Sequence, residues 1–270
     1  MGDKHEIIFK ITPIQSVFPI SNDPERENAL NRIAETFSEW PGTYFERALQ
    51  AGQSGRETDI LNAISLLDKA IELDHASSFP ELLVEKGNFY MQLRTLCRQT
   101  RGGAFGNDDF YGKKIADLEH EAEKCFLSAV SKAPHDYRAN AALAFFYFDA
   151  KKTQAALEGF KSALDACRKG EFSNEMRAVA HANVATCLLA MDPPDEKQAL
   201  AYFDHALRLD EDNCKRWADK GVILYRMNRI QDAADHVRQA LSRNPPEELV
   251  SILKEIMLQC ENRKETRPDA

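Results

Sequence analysis

Three residues, spaced by four and then by three, recur four times along this chain. They are Ala122, Phe126 and Ala129; Ala156, Phe160 and Ala163; Ala199, Phe203 and Ala206; and Ala233, Val237 and Ala240. The first trio lies 34 residues before the second and the third 34 before the fourth, while the middle step is 43, about nine residues longer. A period in the mid-thirties predicts a helical solenoid, because a single unit of that length cannot bury its own apolar face. The fold class expected is therefore all-α, with antiparallel helix pairs stacked one on the next.

The most complete unit runs from Cys214 to about Glu247. Trp217, Lys220, Gly221 and Leu224 fall on its first helix, Ala233, Val237 and Ala240 on its second, and Pro245 closes it. Set against W-x2-L-G-x2-Y…A-x3-F…P, this unit resembles a tetratricopeptide repeat (TPR). Lys220 stands where the pattern has leucine, and the aromatic is shifted by one to Tyr225. Gly221 and Ala233 are expected where the two helices cross closely. The resemblance implies a right-handed superhelix of about five repeats: 43–77, 80–136, 137–171, 178–213 and 214–247. Residues 94–117 are an insertion in the second, and the first is degenerate, with a short opening helix near Tyr44–Leu49. A helix carrying Leu249, Leu253, Ile256 and Cys260 is expected to cap the array over 248–263, with a polar tail at 264–270. Asp23 and Pro24 suit the start of an N-terminal capping helix over 23–42, with Leu30, Ile33, Phe37 and Trp40 as its buried stripe. Residues 1–22 form an extended arm whose Ile7, Phe9, Ile11 and Ile14 are too apolar for a free tail.

Charge and cysteine usage narrow the function. A net charge of −8 argues against general affinity for nucleic acid or anionic lipid. The six cysteines show no C-x-x-C, so they read as reduced thiols rather than a disulfide framework or zinc site. The apolar patch Ile7-Ile8-Phe9 is too short for a membrane span or secretory core, and the cytoplasm is the expected compartment. His120-Glu121 is not followed by a second histidine at metal-binding spacing, and no Walker, G-x-S-x-G or G-x-G-x-x-G motif occurs. No catalytic residue, cofactor or metal is expected.

What the resemblance adds is a concave groove lined by the first helix of each repeat. By that carry-over the lining is Asn88, Met91, Arg138, Phe145, Phe148, Asn183, Lys215, Val222, Tyr225 and Arg226. Such a lining suits a partner's peptide segment with apolar anchors and some acid. A carboxylate clamp for chaperone tails, as in co-chaperones of the family, is incomplete. Val84 stands where lysine is needed and Asp219 where arginine is needed. The stretch Arg94–Lys114 carries net charge +3, with Arg94, Arg98 and Arg101 on one helical face. These three form a candidate second surface, for an acidic partner or, as the alternative reading, for RNA stacked on nearby aromatics.

Overall fold

The computed structural model describes residues 41–74, 79–103 and 108–266. The arm 1–22, the capping helix up to residue 40, the loop tip 104–107 and the end of the tail, 267–270, lie outside the described residues. Within them are eleven α-helices and no strand. We label these α1 (Pro41–Gly52), α2 (Glu57–Leu73), α3 (Pro80–Gly103), α4 (Asp108–Lys132), α5 (Tyr137–Asp149), α6 (Thr153–Lys169), α7 (Asn174–Leu189), α8 (Glu196–Leu209), α9 (Cys214–Arg226), α10 (Ile230–Leu241) and α11 (Glu247–Thr266). The first described helix, α1, is given from Pro41. The residues divide into two compact units, 41–146 and 147–266, with the division inside α5.

Prolines and small polar residues set the helix ends. Pro41 and Pro80 open α1 and α3, where a missing N–H costs nothing. Ser173, Asp195 and Asn213 cap α7, α8 and α9, accepting from the backbone N–H of Met176, Gln198 and Lys215 at 3.2, 2.9 and 3.0 Å. Of the nine extra residues between the second and third trios, three prolong α6 past Ala163, three lengthen α7, and three lie in the turn 190–195 before α8. The α6 helix has 17 residues and α7 has 16, against 12 and 13 in α10 and α9.

In the N-terminal unit α1 pairs with α2 and α3 with α4, and α3 also packs on α2. Its core joins Ala48 of α1, Ile60, Ala63, Leu67 and Ala70 of α2, and Leu82, Phe89 and Leu93 of α3. In the C-terminal unit α7 pairs with α8 and α9 with α10, while α11 lies on α10. There Leu253, Ile256 and Cys260 of α11 join Ala218, Val222 and Leu224 of α9 and Ala233, Val237 and Ala240 of α10. All four trios are buried, and no alanine among them is more than 2% exposed. Phe126, Phe160 and Phe203 are each worth about 2 kcal/mol by transfer from water, and the alanines beside them let the helices approach.

Glycine marks the closest approaches. A methyl placed on Gly221 would lie 2.9 Å from a Val237 methyl and 3.4 Å from the Val237 nitrogen. The same group on Gly87 would meet the Phe126 ring at 2.5 Å. Two turns repeat a second device. Lys151, before α6, and Asn228, before α10, both have φ of 60°. In each turn the next N–H donates back, Lys152 to the Tyr147 carbonyl and Arg229 to the Leu224 carbonyl, at 2.9 Å. This is the left-handed helix stop that glycine adopts without penalty.

Three substitutions test this account, with stability read from urea denaturation midpoints. Gly221→Ala should destabilise by about 1–3 kcal/mol through forced repacking against Val237. Gly112→Ala, on α4 with nothing within 4 Å of the added methyl, should instead stabilise by about 0.5–1 kcal/mol. Separately, Lys151→Gly should stabilise by about 0.5 kcal/mol, the left-handed penalty outweighing the entropy added to the unfolded chain.

Candidate functional site

The second helices spend their apolar residues on the core, so chemistry falls to the first helices, α3, α5, α7 and α9. In the N-terminal unit the expected lining residues Asn88 and Arg138 come together around a third group, Glu85. Asn88 Nδ2 donates to Glu85 Oε2 at 3.2 Å. Burial pushes the Glu85 carboxyl above the usual range for a glutamate, against the Asn88 hydrogen bond and the positive field of Arg138. Met91 and Phe145 are half-buried on the same two helices.

In the C-terminal unit the charged cluster belongs to α9. Arg216 is 3% exposed and lies between Asp210 and Asp219, at 3.5 and 3.6 Å. Burial raises the Asp219 carboxyl, and the charges of Lys215 and Arg216 oppose that rise. Lys215 thus sits beside an internal carboxylate, and the same residues assemble no clamp for an external pair of carboxylates. Lys220, the departure from leucine, reaches back to Asp204 of α8 at 2.8 Å. Lys86 of α3 makes the equivalent bond to Asp68 of α2.

The other expected lining residues are placed differently. Asn183 and Val222 are buried, at 3% and 6% exposed, and Val222 belongs to the C-terminal core. Phe148 stacks edge-on against Phe160 of α6, with centroids 6.5 Å apart. Tyr225 lies under the Arg263 guanidinium of α11, 4.5 Å from its ring centre. Arg226 is exposed, with Nε 3.8 Å from Glu196 of α8. Glu85 and Arg216 were not among the expected residues. A signal for Glu85 existed, since aligning Gly87 with Gly221 brings Glu85 over Asp219 and shows an acid at one repeat position twice.

The second surface needs correction. Arg94 is 6% exposed, its Nη1 3.3 Å from Glu119 of α4, and Arg98 shares the same carboxylate oxygen at 2.8 Å. Lys114 pairs with Glu57 of α2 at 2.8 Å. The +3 count included no residue beyond Lys114 and so missed Glu119. For Arg101 the structure gives only its place near the end of α3. The long α3 and α4, with 24 and 25 residues, are tied together by the pairs of Arg94 and Arg98 with Glu119, and Leu93, Cys97 and Ile115 are buried on them. Phe110, 58% exposed, stands at the start of α4 with Tyr111 edge-on to it.

Nothing among the described residues groups three metal-binding side chains, and no helix there is long and apolar enough to cross a membrane. His181 is 5% exposed, and burial, reinforced by Arg168, His205 and Arg208, pushes it down to about 4, so it is neutral near pH 7.

No model of a known protein family and no curated protein matches this sequence. Solved structures do match it. One is YrrB, described as a TPR protein with an unusual peptide-binding site. It is 17% identical, with 84% of this chain and 98% of YrrB covered and a TM-score of 0.54. The fold is that of a tetratricopeptide-repeat protein. PilF of Pseudomonas aeruginosa aligns with TM-score 0.53 at 16% identity, over 85% of this chain and 93% of its own. Yeast Tom70 aligns with TM-score 0.59 at 16% identity, over 93% of this chain and 46% of its own. At these identities the likeness is one of TPR architecture.

The raised Glu85 carboxyl gives a pH test. With its folded value above the ordinary 4.5, the folded chain holds more protons than the unfolded one just above that pH. Stability from this residue therefore falls as pH rises through that window and stays low at neutral pH. Glu85→Gln keeps the acceptor for Asn88 and should show less loss of stability between pH 5 and pH 7 than the parent. Denaturation midpoints at the two pH values check this, and identical pH dependence in both proteins would contradict it.

Proposed function

We propose that this protein is a non-enzymatic adaptor whose TPR helices hold a peptide segment of a partner protein. The observation that carries the reading is the pair of charged clusters on the first helices, Glu85–Asn88–Arg138 in one unit and Lys215–Arg216–Asp219 in the other. Burying such groups lowers stability unless they are well partnered, and Glu85 and Asp219 are both held against that cost. Binding sites are where such a cost is commonly retained. Within each cluster the mixture of signs suits a segment carrying both acidic and basic side chains, with Met91 and Phe145 as apolar contacts beside the first. YrrB, which shares only the fold, is described as having a peptide-binding site. The reading invokes no cofactor, and a cytoplasmic location accords with six free cysteines. RNA is not proposed, because Arg94 and Arg98 already share Glu119.

The test is selection from a displayed library of random 12-residue peptides, with affinities of selected peptides measured by fluorescence anisotropy. Asn88→Ala with Arg138→Glu, or Lys215→Glu, should weaken binding at least tenfold. The exposed Leu61→Ser on α2 should leave it unchanged. Selected peptides indifferent to the first-helix variants, or a library yielding none, would defeat the reading.

A further inference from the structure

Carboxylates take up several of the arginines described above: Arg94 and Arg98 share Glu119, and Arg216 lies between two aspartates. A group of cations in the C-terminal unit has no such relief. Arg168 of α6 and Arg208 of α8 are exposed, and among the described residues neither has a carboxylate within ion-pair distance. The acids beside them on the same helices are engaged elsewhere, Asp165 with Lys169 at 2.6 Å and Asp204 with Lys220 at 2.8 Å. Both arginine charges bear on His181 of α7, which burial already holds neutral. The His181 ring stacks on His205 with centroids 5.2 Å apart and tilts against Tyr202 at 5.8 Å. Its buried Nδ1 has no hydrogen-bond partner among the described residues. Arg177, one turn before His181, turns instead to the end of α6, its Nη2 donating to the Gly170 carbonyl at 3.3 Å.

Arg208 Nη2 donates to His205 Nδ1 at 2.8 Å. A guanidinium cannot accept a hydrogen bond, so Nδ1 is the bare nitrogen and the ring proton sits on Nε2. His205 is exposed, and among the described residues that N–H has no acceptor. We propose that Arg168, His205 and Arg208 hold the phosphate monoester of a phosphorylated serine in a partner's segment. Such a group carries about −1.5 to −2 charge near pH 7 and three acceptor oxygens, which matches two guanidinium groups and one imidazole N–H. A carboxylate brings one charge and two oxygens, and leaves one of the three donors unmet. Because both arginines are exposed, the phosphate is met at the surface, where the chain that carries it has room to pass. The three donors stand on second helices, so the site holds whether or not the first-helix clusters bind a segment.

The experiment measures, by fluorescence anisotropy on the full chain, binding of degenerate peptides with a fixed central phosphoserine. The same pools with serine or aspartate at that position serve as comparison. The phosphoserine pool should bind about tenfold or more tightly than either. R168Q/R208Q should abolish that preference and each single variant should reduce it, while K215E, in the first-helix cluster, should leave it intact. On saturation with the phosphoserine pool, the midpoint of the His181 ring titration, followed by NMR, should rise from about 4 to about 5 or above, since a nearby anion favours the charged ring. Equal binding of the three pools would overturn the proposal, as would a preference that R168Q/R208Q retains or an unmoved His181 midpoint. So would inorganic phosphate or poly(U) RNA competing as well as the phosphoserine peptides.

Discussion

The whole architecture depends on how near two helix backbones come at the crossing inside each pair. Gly221 lies under Val237 at a separation that leaves no room for a methyl group, and Gly87 lies as close to the ring of Phe126. The alanines of the trios extend that contact along the second helix. Small residues at the crossing bring dispersion contacts within range along the whole pair. Only then do the large residues, Phe126, Phe160, Phe203 and Val237, fill the space that remains. Each pair still exposes apolar surface when alone, so α3 must meet α2 and α11 must meet α10 before the chain is covered.

That crossing explains why the fold was legible in the sequence. Alanine at fixed spacing is a direct record of backbone proximity, and its 34-residue recurrence records the stacking. The lengthened α3 and α4 were visible too, because glycines and charges mark where the ordinary repeat is interrupted. The site was legible only in part. Which positions belong to first helices followed from the pattern, and the half-buried acids Glu85 and Asp219 lie near Asn88, Arg138 and Lys215. What the pattern omits is who pairs with whom across helices. Lys220 read as a departure from leucine until Asp204 was seen beside it. Arg94 read as surface because its partner, Glu119, lies 25 residues away in sequence. Tyr225 read as groove floor, yet Arg263 of the next helix lies over it.

Charge in this protein therefore works mostly inside the fold. Arg216 holds two aspartates together at a helix junction, and Glu119 gathers two arginines that would otherwise repel each other. Where the pair is buried, as around Arg216, it adds little net stability, since desolvation offsets most of the attraction, but losing one partner is costly. These contacts are better understood as choosing which surfaces meet than as holding them together.

The lysine bridges from α3 back to α2 and from α9 back to α8 have a consequence for how such a chain can grow. Both use the same two positions of the repeat, whereas Leu143 and Val184 stand at the lysine position of α5 and α7, so two of the joints share one design. A duplicated segment that carries its lysine and its aspartate brings a matching connector at each end. Lengthening by tandem copying then needs no new recognition between modules, only preservation of those two sites and of the glycine one residue further along.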